Sequence, residues 1–481
     1  MENLNEIIRQ RINKLKEIKE KNIDPYGRKF ERSHSINEAV NSFDETKEVI
    51  VKTAGRIRAL RGHGKSSFLD IRDEDGKIQL YVKKGLISED EYWLFERLDI
   101  GDIIGIEGRL FKTRSGEVTI EVKSLTLLSK SLRPLPEKWH GLKDVEARYR
   151  QRYLDLISNE EVRKTFKLRT RIVSKIKEFL DKKGYLEVET PMMHIVPGGA
   201  AGRPFKTHHN VYDIDLYLRI APELYLKKLL VGGFEKIYEI NRSFRNEGIS
   251  VKHNPEFTML EVYQAYGDYE EMMDLIEELV TYVAQEVLGT LKITYQGEEI
   301  DLKRPWKRQS FAEALGISPE EKDPAAWKKI LCAKFGLDIN EKISRSALLN
   351  VAEDLLDEKE KNNPTFFTDY FTEVSPLAKT RKDRPLLAER FELFVGGMEI
   401  ANAYSELNDP LEQAERIRVQ QEDDEERLHK IDKDFITALE YGMPPAGGLG
   451  IGIDRLVMLL ADKASIREVI LFPQLKPEKQ D

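Results

Sequence analysis

Two spacings of apolar residues divide this chain. Between residues 49 and 130 apolar and polar positions alternate in short runs: VIVKTAGRIRAL, SSFLDIRDEDGKIQLYV, DIIGIEGRLFKTRSG and EVTIEVKSLTLL. Gly, Asp and Ser break these runs, and a period of two predicts strands. Five or so strands in about 80 residues predict a small five-stranded barrel of the OB type, a fold whose strand face often binds single-stranded nucleic acid. Ahead of it, in a lead of residues 1–48, Leu4, Ile8, Ile12, Leu15 and Ile18 form a helical stripe over residues 4–21. Asp24-Pro25 is expected to end that helix. Behind the barrel, Pro134 and Pro136 mark residues 131–147 as a linker.

From Arg148 the period lengthens. Val162, Phe166, Leu168, Ile172, Ile176, Phe179 and Leu180 recur at helical spacing, with Gly184 as the cap. LEVETP then reads as extended, because a residue before proline avoids the helical region. In DLYLRIAPELYLKKLL, Tyr217, Arg219, Ala221 and Glu223 are expected on one strand face, with a helix starting just after. Lys236–Gln264 reads as a hairpin whose second strand turns Phe257, Met259, Glu261 and Tyr263 to one side. YEEMMDLIEELVTYVAQEVL has a helical period, and KITYQGEEIDL a hairpin about Gln296-Gly297. Residues 311–362 read as a charged, mostly helical insertion. In FELFVGGMEIANAYSELND, Asn402, Tyr404 and Glu406 share one face and Ala401, Ala403 and Ser405 the other, a polar front on a small-residue back that suits a pocket wall. A bulge near Gly396-Gly397 is expected to bring Glu392 and Glu399 to one side.

Composition narrows the classes. Hydrophobic residues make up 40% and charged residues 34% of 481, an ordinary soluble balance. No apolar run approaches the roughly 20 residues of a bilayer span. MENLNEIIRQRINKLKEIKE has no apolar signal-peptide core, so a cytoplasmic location is expected. The single cysteine, Cys332, leaves no internal disulfide. A net charge of −8 argues against a protein that coats nucleic acid indiscriminately. Paired carboxylates such as Glu392 and Glu399, beside a phosphate site, suit Mg²⁺, a hard ion that takes oxygen ligands.

The motifs sharpen this. FRNEG followed by HNPEFTMLE resembles motif 2 of the class II aminoacyl-tRNA synthetases in its lysyl-specific, bacterial form. KIKEFLDKKGYLEVETPMM, with Pro191, resembles motif 1, and GLGIGIDRLVMLL, from Gly448, resembles motif 3 with Arg455 as its arginine. The resemblance implies an α+β protein: an OB anticodon-binding domain over 49–130, then a class II catalytic domain over 148–481 with an antiparallel sheet flanked by helices. It implies lysine activation by ATP, transfer to tRNA, a Mg²⁺ requirement and a homodimer built on motif 1.

It also implies roles for single residues. Arg245 would hold the substrate carboxylate and α-phosphate, and Arg455 would sandwich the adenine with Phe257. Glu247, His253, Asn254, Glu399 and Gly450 would contact the nucleotide, and Glu392 with Glu399 would hold Mg²⁺. Glu223 and Asn402 would contact the amino and carboxylate ends of lysine, with Gly199 and Tyr404 also in the lysine site. Tyr263 and Glu406, with Glu261 close by, would take its ε-ammonium. On the barrel, Phe68, Gln79 and Arg61 would read the anticodon, with Glu117 a weaker contact, and the basic first helix would add a tRNA contact. Two other classes stay open. One is a catalytically dead tRNA-binding paralogue, against which Arg245, Glu399 and Arg455 speak. The other is a ligase for aspartate or asparagine, which would want a cation where Glu406 stands, or for a protein lysine, whose members lack the barrel.

Overall fold

The computed structural model describes residues 2–63, 66–136, 142, 144–200, 202–318, 323–336, 349, 351, 363–423 and 432–477. They form two compact units, Met1–Lys143 and Asp144–Asp481.

The first unit opens with α1 (Glu2–Glu20) and α2 (Ile36–Asn41). It continues through β1 (Ile50–His63), β2 (Ser66–Arg72), β3 (Lys77–Lys83), α3 (Glu89–Phe95), β4 (Ile103–Lys112) and β5 (Val118–Ser129). The strands close as β1-β2-β3-β5-β4, with β3 and β5 parallel. Alternation sends Leu69, Ile71, Ile78, Leu80, Ile104, Ile120 and Val122 into the barrel interior. Helix α1 ends ahead of Asp24-Pro25: Asn22 turns left-handed at φ 57° and breaks the ladder first. Its Ile18 is buried, and Lys14 and Lys21 pair with Asp99 and Asp90 at 2.7 and 3.3 Å. The helix is thus docked on the barrel, with Lys16 and Lys19 left exposed.

The second unit begins with α4 (Val145–Arg150), α5 (Arg152–Ser158) and α6 (Glu160–Lys182). Gly184 follows α6 at φ 80°, the left-handed conformation that a helix terminus favours and that only glycine adopts without strain. Then come β6 (Leu186–Glu187), β7 (Met193–His194), β8 (Lys206–His209), β9 (Ile214–Leu218) and α7 (Glu223–Val231). The hairpin β10 (Lys236–Phe244) and β11 (Glu256–Ala265) precedes α8 (Tyr269–Leu288). The remaining strands are β12 (Lys292–Tyr295), β13 (Glu298–Asp301), β14 (Lys307–Ser310), β15 (Thr365–Thr368), β16 (Arg390–Val395), β17 (Met398–Ser405) and β18 (Ala446–Gly452).

One eight-stranded sheet runs β14-β15-β16-β17-β18-β11-β10-β6. The six inner strands are antiparallel, but both edge pairs, β14/β15 and β10/β6, are parallel, so the expected antiparallel sheet is mixed. Its back is apolar. Leu260, Val262, Ala401, Ala403, Leu449 and Ile451 pack on α8 and on the helix Ile453–Leu460. Of the 311–362 insertion, the described part holds the helices Phe311–Leu315 and Pro324–Phe335. Phe311, Leu315 and Leu331 there form a separate apolar cluster with Phe367, Tyr370 and Phe394 of the sheet's edge. Residues 319–322, 337–348 and 352–362 lie outside the described residues, as does most of the linker between 137 and 143.

Candidate functional site

The polar face of the sheet floors a cleft of about 1470 Å³ in the second unit. The strand period places its residues. Phe257, Met259, Glu261 and Tyr263 of β11 all line the cleft, while Leu260 and Val262 between them are core. Asn402 and Tyr404 project from β17 to the same side. Ile400 is skipped in the pairing, where Leu393 faces Ala401 and Phe394 faces Glu399. That bulge reverses the parity of Glu399 and turns it towards the cleft with Glu392, three residues after the Gly396-Gly397 turn at which the sequence suggested it.

At one end of the cleft the charges are cationic and paired. Arg245 continues β10 and lies over the Phe257 ring at 5.2 Å. Its Nε is buried without a partner among the described residues. Burial works against its charge, and the carboxylates of Glu247 and Glu399 offset part of that penalty. Arg455 Nη1 donates to the Glu399 Oε2 and to its carbonyl, both at 2.8 Å. Burial raises the Glu399 carboxyl, but Arg455, aided by Arg245, outweighs it and holds Glu399 below its ordinary range. Arg455 Nη2 also lies 3.3 Å from His253 Nε2. The guanidinium can only donate there, so His253 is a neutral acceptor whose Nδ1–H points to Ser250 Oγ at 2.8 Å. Burial and Arg455 push its pKa down, in agreement. Asn254 Oδ1 is buried and unpaired among the described residues. Arg169 of α6 ties this end together, donating to Asp454 Oδ1 (2.6 Å) and Thr258 Oγ1 (3.0 Å), while the Thr258 amide donates to Asp454 Oδ2 (2.7 Å).

At the other end the charges are acidic and deeply buried. Glu406 is 0% exposed, one residue beyond β17, and its Oε1 has no hydrogen-bond partner among the described residues. Gly448 on β18 makes room for it: a Cβ there would lie 1.9 Å from that oxygen. Glu261 sits beside Tyr263, whose hydroxyl is 3.4 Å from Glu261 Oε2. Glu223 opens α7, yet its carboxylate does not cap the helix. It accepts from Tyr404 Oη at 2.6 Å and from Lys227 Nζ at 2.7 Å. Gly199, at φ 87°, brings the 197–200 loop against Glu223, where a Cβ would stand 3.1 Å from the Glu223 Cβ. Burial lifts the Glu261 carboxyl well above its ordinary range, with Glu223 and Glu406 adding to the effect. Burial pushes Glu406 up to about 8; Lys227 pulls against this and Glu223 adds to it. Gly450 lies between, paired across the strands with Glu261 and Asn402.

Some expectations change. Tyr217 and Arg219 do not share a face with Glu223, because β9 ends at Leu218 and the Ala221-Pro222 step starts α7. Arg219 is buried instead against Glu239 (2.7 Å) and the Thr190 carbonyl (3.1 Å). The Glu406 charge does not wait for a ligand to pair it, since Lys227, fully buried and outside the cleft lining, contacts both Glu406 Oε2 and Glu223. The spacing of Glu223 and Lys227, one helical turn apart, was the signal for that pair. Arg390 was also missed. It donates to Glu392 Oε1 at 2.5 Å and to Asn402 Oδ1 at 3.2 Å, while Tyr370 donates to Glu392 Oε2 at 3.0 Å.

Among the described residues no group of three or more His, Cys, Asp and Glu side chains gathers as a metal cluster. Glu392 and Glu399 nonetheless fit a hard cation. Both are oxygen donors in the cleft lining, and Glu399 is held ionised. Two protein carboxylates with the remaining ligands from phosphate is a usual Mg²⁺ arrangement.

On the barrel, β2 and β3 turn one polar and aromatic face outward. Phe68 is half-buried, not core, and its ring lies 5.2 Å from Tyr81, which meets Phe111 at 6.1 Å. Gln79 is largely buried and accepts at Oε1 from Thr119 Oγ1 at 3.0 Å. Arg61, across from Phe68, donates to Asp70 at 2.7 Å, and Lys77 bridges Asp70 (3.6 Å) and Glu117 (3.8 Å). Tyr81, two residues after Gln79 and so on the same face, escaped the sequence argument.

Comparison with known proteins agrees with this arrangement. The profile of the OB-fold nucleic acid binding domain described for tRNA anticodons matches residues 51–128, and that of the tRNA synthetases class II (D, K and N) matches residues 144–476. The lysine–tRNA ligase of Carboxydothermus hydrogenoformans is 59% identical over 98% of this chain and 99% of its own. That of Pelotomaculum thermopropionicum is 56% identical over 99% and 96%, and that of Bacillus subtilis 48% over 99% and 98%. With its OB barrel, its mixed sheet and matches of this extent, the chain belongs to the class II tRNA synthetases of the D, K and N group, in the lysine–tRNA ligase family.

Proposed function

We propose that this protein is a lysine–tRNA ligase: it activates L-lysine with ATP and transfers it to tRNA(Lys) for protein synthesis. The observation that carries the choice of lysine is Glu406, a fully buried carboxylate with one unpaired oxygen at the acidic end of the cleft. A neutral amino acid would leave that oxygen without a partner, and such a site rejects analogues lacking the matching group by large factors. An aspartate or asparagine substrate would meet Glu261 and Glu406 with like charge or none.

In the first step a lysine carboxylate oxygen bonds to the α-phosphorus of ATP, and the bond to the bridging oxygen of pyrophosphate breaks. Lysyl-adenylate and pyrophosphate result. In the second, the terminal ribose hydroxyl of tRNA attacks the lysyl carbonyl and AMP leaves. The first step brings two anions together, so neutralisation and alignment dominate it. Arg245 is suited to both anions, with a planar fork and an unpaired Nε. Phe257 and Arg455 offer an aromatic face and a guanidinium plane for adenine, with Glu247, His253, Asn254 and Gly450 around the nucleotide. Glu392 and Glu399 would hold Mg²⁺, which supplies charge neutralisation at the phosphates. Glu223, Asn402, Tyr404 and Gly199 take the amino and carboxylate groups of lysine, and Tyr263, Glu261 and Glu406 its ε-ammonium. On the barrel, Phe68 offers a stacking face for an unpaired base, with Gln79, Arg61 and Glu117 beside it.

A homodimer is supported by exposed apolar residues of and around β6–β9 in the second unit, including Leu186, Met192, Met193, Ile195, Val211 and Tyr212. Large apolar side chains left exposed along one stretch of chain are what an interface would bury. Sedimentation expects a dimer of the 55.7 kDa chain, and a fully active monomer would refute it. Among the described residues no helix is long and apolar enough to cross a membrane. The activity belongs in the cytoplasm, where its tRNA substrate is. The deciding assay is ATP–pyrophosphate exchange with each of the twenty amino acids, with and without Mg²⁺. Exchange driven only by lysine is expected, and exchange driven by aspartate, by asparagine or by none would sink the assignment.

A further inference from the structure

The acidic end of the cleft holds a cation that no step above uses. Lys227 of α7 is 0% exposed and lies outside the cleft lining. Its Nζ touches Glu223 Oε1 at 2.7 Å and Glu406 Oε2, and stands 5.5 Å from the Tyr404 ring. It therefore bridges the two carboxylates assigned to opposite ends of the lysine side chain. Burying an ammonium is costly unless it is paired, and a lysine placed there for packing alone would be an expensive choice.

We propose that Lys227 is a specificity-determining positioning residue: from behind the cleft wall it orients Glu223 and Glu406 and fixes the pocket's charge so that a substrate with two ammonium groups completes it. The inference rests on the lysine assignment above. The charge count is direct. Glu223, Glu261 and Glu406, when ionised, carry three negative charges, and Lys227 removes one. Two remain, matching the α- and ε-ammonium groups of free lysine. The lysine carboxylate is answered separately, by Arg245.

The groups facing Glu406 give this its chemistry. Lys227 and Glu223 come from α7, Lys379 from the segment before β16, and Glu261 with Tyr263 and Tyr404 from the strands. Burial opposes the Lys227 charge, but Glu223 and Glu406 outweigh it and hold the ammonium firmly protonated. Without it, Glu406 would face Glu223 with only Lys379 to offset the repulsion. Its carboxyl, already pushed up to about 8 with Lys227 in place, would then keep its proton to still higher pH and open less readily to an incoming ammonium.

The test is Lys227→Met, which keeps length and removes charge, assayed by pyrophosphate exchange with L-lysine and with L-2-aminoheptanoic acid, in which a methyl replaces the ε-ammonium. The expected result is a KM for lysine raised about 30- to 300-fold, the range for breaking one side of a buried charged pair. The kcat and the KM for ATP should stay within about threefold, and the preference for lysine over the neutral analogue should collapse by the same factor as the lysine KM. The pH at which the lysine KM levels off should also move up by about one unit or more, since Glu406 would ionise later. Equal loss on ATP and lysine, or an unchanged lysine KM, would overturn the proposal. If Lys227→Met alone does not fold, Lys227→Met/Glu406→Gln removes both charges and decides the question. A lysine dissociation constant within about threefold of Glu406→Gln alone supports action through Glu406, whereas multiplied losses mean an independent structural role. Wild-type protein with no lysine-dependent exchange would instead defeat the lysine assignment itself.

Discussion

The cleft and the barrel face use the same pairings at opposite burial. On the barrel, Arg61 meets Asp70 at 2.7 Å with its side chain 53% exposed. Behind the cleft wall, Lys227 meets Glu223 at the same distance with its side chain at 0%. Water screens the first pair, so it contributes at most about 1 kcal/mol and can be exchanged for a ligand at little cost. The second pair is shielded from water, so losing either partner leaves a buried charge undercompensated. The difference suits the two tasks. Telling lysine from nineteen other amino acids needs a large energetic gap on a small ligand. Reading an RNA loop can spread modest contacts over several bases.

The sharpest way to break the comparison is Glu406→Gln, which keeps size and hydrogen bonding and removes the charge. Lysine use should weaken by roughly 2–4 kcal/mol, as for one member of a buried charged pair. The dissociation constant for ATP should hold, because Arg245, Phe257 and Arg455 serve that end. Equal loss on both ligands would make Glu406 structural or nucleotide-linked, and unchanged lysine affinity would remove it from the pocket.

A second effect is pH. The Glu406 carboxyl in the free pocket is pushed up to about 8, and an ammonium binds only its ionised form. The sign follows: lysine binding releases a proton and tightens as pH rises towards 8. Below that, affinity should fall by up to about tenfold per pH unit. Calorimetry at several pH values in buffers of different ionisation enthalpy measures the released proton. Lysine affinity that is flat between pH 6 and 8, or no less steep in Glu406→Gln, would mean that Glu406 is already ionised before lysine arrives.

How much of this was written in the sequence depends on how far the contact reaches along the chain. The β10–β11 hairpin was legible because alternation is a local pattern, and it put Phe257, Glu261 and Tyr263 on one wall correctly. The Gln296-Gly297 turn was legible because both residues take positive φ, at 51° and 89°. The bulge was foreseen in effect, though it falls at Ile400 rather than on the two glycines. β14, Lys307–Ser310, was not legible. It is a charged edge strand whose order comes from pairing with β15, more than fifty residues on. Lys227 was missed for a related reason. A lysine in a helix reads as solvent-facing until a carboxylate from 179 positions away is folded against it.

On the barrel the effects shrink. Phe68→Ala removes the ring that stands next to Tyr81 on the outer face. A lost base stack costs about 1–3 kcal/mol, so charging of tRNA should suffer while lysyl-adenylate formation stays nearly intact. Gln79→Ala should follow the same pattern. Parallel loss of both steps would make these residues supports of the barrel, not readers of RNA. Tyr81 and Phe111 extend the same row of rings, so a Phe68→Ala loss near the low end of that range would show that the neighbouring rings share the stacking.

The smallest effect is expected at Arg61. Its guanidinium is half in water and already engaged by Asp70, which Lys77 also approaches at 3.6 Å. An RNA contact must first take Arg61 from Asp70, and the exchange returns little because both pairings are screened. Arg61→Ala should therefore weaken tRNA binding by less than about 1 kcal/mol and leave amino-acid activation untouched. If Arg61 touches phosphate, the slope of log affinity against log salt should fall by about one, uniformly across anticodon variants. A loss of about 1–3 kcal/mol that appears only with the cognate anticodon would mean that Arg61 leaves Asp70 to read a base edge. The barrel face would then contain one desolvated, cleft-like contact, and the division drawn between the two surfaces would fail at that residue.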